Sequence, residues 1–125
     1  MKKLMLLACV LNLLFSSCDV EHVKDYYVVN AYEEPISINY QIFRGDIKSL
    51  KIEKNDTVLI YSDSYVFGTV GVDDDRDRIA IVSMTIDYNN NIIPITQNEW
   101  RYEKESKYHA EYYLIIDTTL LQQNN

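Results

Sequence analysis

Residues 36–42 read Ile-Ser-Ile-Asn-Tyr-Gln-Ile, so that Ile36, Ile38, Tyr40 and Ile42 alternate with Ser37, Asn39 and Gln41. Successive side chains of an extended chain point to opposite faces, and this period of two predicts a strand with one buried face and one wet face. The same reading covers residues 25–31, 49–53 and 57–62. Glu-Glu-Pro, Arg-Gly-Asp and Glu-Lys-Asn-Asp stand between them and supply the residues that turns require. Links this short predict antiparallel neighbours or crossings from one sheet to another.

The alternation then lapses. Residues 62–77 hold Gly68, Gly71 and a dense acidic cluster and predict an irregular segment. A strand follows over 79–88, with Ala80, Val82, Met84, Ile86 and Tyr88 expected inward and Ser83, Thr85 and Asp87 outward. Three asparagines at 89–91 mark a turn, since Asn tolerates positive φ. Pro94 lacks an N–H for the ladder and so points to an edge strand over 92–96. Residues 98–106 read as a loop or short strand. Over 107–117 Tyr108, Ala110, Tyr112, Leu114 and Ile116 form an inner face, while His109, Glu111, Tyr113 and Asp117 look out. The tail is read as one helical turn capped by Thr118 or Thr119.

About seven short strands without a sustained helical pattern predict an all-β fold, an antiparallel β-sandwich of the immunoglobulin-like or transthyretin-like sort. A partly closed barrel is the alternative architecture. The pair of core cysteines flanking a tryptophan that marks immunoglobulin domains is absent.

The first residues obey other rules. Lys2 and Lys3 precede an apolar run from Leu4 to Phe15, broken only by Asn12, and then come Ser16, Ser17 and Cys18. A run of 12 residues suits the apolar core of a secretory signal, about 7–15 residues long, and falls short of the roughly 20 that span a bilayer. A cysteine directly after small residues at the cut resembles the bacterial lipoprotein signal, in which that thiol is acylated and becomes the first residue of the mature protein. Phe15 stands where leucine is usual. The expected organisation is a signal helix over 1–17, lipid attachment at Cys18, a tether over 18–24 and one sandwich domain over 25–125. A disulfide for Cys18 would need Cys9, which lies inside the segment to be removed.

Removing the signal leaves 108 of 125 residues, enough for one core, and 10 basic residues against 19 acidic ones, a formal charge of −9. Such a surface repels phosphate backbones, which sets nucleic acid aside as a partner.

Three features carry candidate chemistry. Arg44, Gly45 and Asp46 form the triplet that integrin ligands present on a hairpin tip, but a glycine between charges is also an ordinary exposed turn. Asp73, Asp75 and Asp77 are the candidate ligands for a metal. The loop lacks the glycine and glutamate of an EF-hand, having Arg78 and Met84 there, and two arginines oppose the field, so no metal or cofactor is expected. No set of residues points to catalysis: His109 is read outward and His22 in the tether. Finally, 11 Tyr, 3 Phe and 1 Trp are many for this chain. Tyr40, Tyr88, Tyr108 and Tyr112 fall on inner faces, whereas Tyr27, Tyr65, Tyr102, Tyr113 and Trp100 are expected at the surface. Of these, Trp100, Tyr102 and Tyr113 are the candidates for partner binding.

With Ser-Ser-Cys-Asp-Val-Glu-His at 16–22, the strands at 26–40, the Lys54-Asn55-Asp56-Thr57 turn and the late Tyr-Tyr-Leu-Ile-Ile-Asp strand, the chain resembles small Bacteroides-type outer-membrane lipoproteins. The resemblance implies an outer-membrane protein held by its lipid. Asp19 and Glu21 after the cysteine favour the cell surface over the periplasmic face. The function expected is a non-catalytic binding or assembly module for a glycan or an envelope protein. The alternative is an inhibitory or immunity-type lipoprotein that blocks a basic target.

Overall fold

A computed structural model describes residues 20–66 and 71–123. Cys18, the signal over 1–17 and the start of the expected tether lie outside the described residues. The described chain is an all-β sandwich of eight strands, one more than expected, in two sheets of four. The first sheet has the order β4-β1-β8-β7, built from β1 (Glu21–Asn30), β4 (Thr57–Val66), β7 (Trp100–Ser106) and β8 (His109–Ile116). The second has the order β3-β2-β5-β6, built from β2 (Ile36–Ile42), β3 (Ile47–Ile52), β5 (Ile81–Tyr88) and β6 (Asn91–Pro94). A short helix, α1 (Thr118–Gln122), closes the chain. Among the described residues no helix is long and apolar enough to cross a membrane.

Of the early links, only β2–β3 is a hairpin. The links before and after it cross between sheets, and buried Asn30 ties them together. Its amide donates to the carbonyls of Glu34, Ile52 and Glu53, and its Oδ1 accepts from Tyr32 N–H at 3.0 Å. Arg44, Gly45 and Asp46 occupy the exposed tip of the β2–β3 hairpin, with Arg44 at φ 61°. The edge role of Pro94 is seen in β6, at the end of its sheet. Asn89 and Asn90 take the positive φ that their turn requires.

Four expectations need correction. The strand at the N-terminus begins at Glu21, so residues 21–24 belong to the fold and not to a tether. Pairing with both β4 and β8 extends it that far. The β1–β8 pair is parallel, an arrangement that needs a long connection and here has residues 31–108 as one. β4 runs on to Val66 through a bulge: Tyr26 pairs with Tyr61 and Tyr27 with Leu59, leaving Ile60 as the extra residue. Ile60 and Tyr61 therefore both turn toward the core, and the alternation that marks a strand is broken there. In β5, Gln41 pairs with Ser83 and Ile42 with Ile81, so Val82 is the inserted residue and lies 51% exposed instead of inward. The helix cap is Asp117, whose carboxylate accepts from Leu120 N–H at 2.9 Å, rather than Thr118 or Thr119.

The core runs between the sheets, from Val28, Leu114 and Ile116 to Ile36, Ile38, Ile52 and Ile86. One end of the first sheet is covered differently. There the inward residues of β1 are His22, Lys24 and Tyr26, all fully buried, and the segment 71–80 is bonded to Lys24 and Tyr26. Its backbone is held by side chains. Lys24 donates to Asp75 O at 2.6 Å and Arg78 O at 2.8 Å, Tyr112 donates to Arg76 O at 2.7 Å, and Ala80 N–H donates to the Tyr26 hydroxyl at 3.0 Å. A segment without a ladder must have its buried polar groups met in some such way.

Candidate functional site

The parallel pairing of β1 with β8 sets Asp25 opposite Glu111 and Tyr27 opposite Tyr113, on the outer face of the first sheet. His109 shares that face, two residues before Glu111. The Tyr27 and Tyr113 rings stack with centroids 5.1 Å apart and planes 13° from parallel. His109 Nε2 lies 2.9 Å from Asp25 Oδ2, Ser62 donates to Asp25 Oδ1 at 2.5 Å, and Tyr113 donates to a Glu111 carboxylate oxygen at 2.5 Å. The face thus combines an aromatic rib with fixed acceptors.

Its bond to the Glu111 carboxylate is the main cause that pushes the Tyr113 hydroxyl up to about 12. Tyr27 is also raised, by burial and by the Asp25 and Glu111 charges. On β7 Glu103 pairs across from Glu111, and the carboxylates of Glu103, Glu105 and Glu111 come within 4.8 Å of one another. The Arg101 guanidinium on this face bonds to Glu103. This acidic strip spans β7 and β8, and Asp25 on β1 carries the negative charge onto a third strand.

Of the expected partner-binding residues, only Tyr113 lies on this face. Trp100, expected at the surface, is 9% exposed. It pairs with Leu114 and so faces the core, its ring edge-on to Tyr26 at 5.8 Å. Tyr102 is half-buried on the inner side, where its hydroxyl donates to Asp73 at 2.7 Å and the Arg76 guanidinium lies over its ring at 5.0 Å. Tyr27 joins Tyr113 only through the β1–β8 register, which pairs residues far apart in sequence.

The candidate metal ligands Asp73, Asp75 and Asp77 do not converge. Asp73 is engaged by Lys104 at 2.5 Å and by Tyr102; the Lys104 bond, then the Tyr102 bond, holds its carboxyl below the usual range. Asp75 turns inward to Lys24 and Tyr65, and Asp77 stays exposed. These partners answer the carboxylates that a hard cation would need. Among the described residues, Asp25, His109 and Glu111 form a different set whose ligand atoms all lie within 4.8 Å of one another.

That set is not a hydrolytic relay. Ser62 donates to Asp25 and not to the imidazole, whereas nucleophilic activation needs the base to hold the hydroxyl proton. A cleft of about 380 Å³ opens beside the buried lysine, where Phe43, Tyr61, Asp63, Tyr65 and Arg78 meet. Compared with family models, curated proteins and solved structures, the chain matches none.

Proposed function

We propose that this protein is a non-catalytic envelope lipoprotein, anchored through Cys18, that binds a glycan or protein partner on the outer face of its first sheet. The observation that carries the reading is the Tyr27–Tyr113 stack set beside the Asp25 and Glu111 carboxylates. Aromatic surface suits the apolar faces of sugars or a partner's side chains, and fixed carboxylates accept from hydroxyls or amides. The anchor rests on the lysine-led apolar run that ends at Ser16, Ser17 and Cys18. With β1 starting at Glu21, only Asp19 and Val20 separate that cysteine from the sandwich. The three Cα steps from Cys18 to Glu21 span about 11 Å at most, so an acylated Cys18 holds the domain close to the membrane surface.

The acidic strip of Glu103, Glu105 and Glu111 favours a second reading, an inhibitor of a basic protein. Glycan arrays and pull-downs with wild type and Tyr113→Ala separate the two. Binding that falls with Tyr113→Ala and barely responds to salt supports the aromatic face. A complex that dissociates with salt supports the acidic one. A chain that captures nothing in either assay removes the proposal, and undiminished acyl labelling after Cys18→Ala removes the anchor.

A further inference from the structure

We infer that Asp25, His109 and Glu111 bind one borderline divalent cation of the Zn²⁺ type on the outer face of the first sheet. The site stands on its own geometry, whether or not the face also binds a glycan. Its ligand atoms come from neighbouring strands in fixed register. Asp25 lies opposite Glu111 across the β1–β8 ladder, and His109 shares the face from two residues earlier on β8. The three ligand atoms lie within 4.8 Å of one another, and His109 Nε2 is already 2.9 Å from Asp25 Oδ2. Zinc bonds of about 2.0–2.2 Å place tetrahedral ligands roughly 3.3–3.5 Å apart. The pair need open by only a few tenths of an ångström to admit an ion.

Both carboxylates are also held from behind. Ser62 donates to Asp25 Oδ1, leaving Oδ2 toward the imidazole. Tyr113 donates to Glu111 Oε2, leaving Oε1 free of that bond. Such outer hydrogen bonds orient ligands and carry about 10–100-fold of metal affinity. His109 is 37% exposed and Asp25 is 15% exposed, so an ion can enter while the carboxylate stays partly desolvated. Glu103 and Glu105 add negative charge close by, and Arg101 is engaged with Glu103.

The donor set selects the metal. One imidazole and two carboxylates with a position left for water suit zinc and its neighbours, whereas calcium takes six to eight oxygens and magnesium keeps its own water.

The test uses the full chain, purified in detergent, stripped with chelator and titrated with Zn²⁺, Ca²⁺ and Co²⁺. Expected are one equivalent of Zn²⁺, a raised melting temperature, no comparable heat with Ca²⁺, and a Co²⁺ spectrum without a thiolate band. His109→Ala and Glu111→Gln each weaken that equivalent by more than about 100-fold, and Tyr113→Phe weakens it by about 10–100-fold. The Glu103→Gln/Glu105→Gln double variant retains it, and circular dichroism verifies the fold of each variant. The inference is overturned if no zinc equivalent is found, if it survives His109→Ala, or if the Co²⁺ spectrum carries the thiolate band of Cys9 or Cys18.

Discussion

Lys24 Nζ lies 3.3 Å from Asp75 Oδ2 inside the sandwich, the two side chains 0% and 7% exposed. Burial pushes the lysine below its ordinary pKa, and the Asp75 charge pulls it back. The same ammonium caps two carbonyls of the 71–80 segment, and the Tyr65 hydroxyl donates to Asp75. A polar clamp thus covers one end of the first sheet where the apolar layer would otherwise lack a partner.

Asp75→Ala therefore removes one partner of a buried pair, which costs about 3–5 kcal/mol. Urea unfolding of Asp75→Ala, Lys24→Met and the double variant is expected to show strong non-additivity, because the groups share one network. A loss below about 1 kcal/mol for Asp75→Ala would place the carboxylate outside the clamp.

Two substitutions separate the structure from simple alternation. Val82 stands at a bulge and faces water, so Val82→Thr shifts stability by no more than about 0.5 kcal/mol. Trp100 packs on Tyr26 in the core, and Trp100→Ala costs about 3–5 kcal/mol. Because Trp100 is the one tryptophan in the sequence, its emission also reports directly: blue-shifted in the fold and red-shifted on unfolding.

Alkaline pH probes the tyrosines. Tyr32 and Tyr113 are raised to about 12, chiefly by hydrogen bonds to Tyr88 and Glu111. Tyr26, Tyr65, Tyr102 and Tyr112 are also raised, chiefly by burial. An unfolded tyrosine ionises near pH 10. The folded state therefore holds protons that the unfolded state has lost, and stability falls as pH rises from about 10 through the folded values. Most of the phenolate absorbance is expected to appear above pH 10, together with loss of the near-UV circular dichroism signal. Titration of all 11 tyrosines together near pH 10, with the fold intact, would contradict these shifts.

Strand parity was legible wherever a strand is regular. Ile36, Ile38 and Tyr40, and Ala110, Tyr112, Leu114 and Ile116, face inward as their alternation predicts, because the period of two is a local property of extended backbone. The acidic balance and the all-β class likewise follow from short stretches or from composition. Tertiary structure decided the rest. Bulges at Ile60 and Val82 reverse parity, and a bulge depends on how two strands meet. His22 and Lys24 read as polar tether until the 71–80 segment supplies carbonyls and a carboxylate to meet the lysine inside. Asp25 and His109, 84 positions apart, become neighbours only because β1 and β8 pair in parallel. The sequence by itself determines the all-β class, the middle of most strands and which way a regular strand faces. The register between distant strands, set by packing the whole sandwich, decides which side chains stand together on its surface.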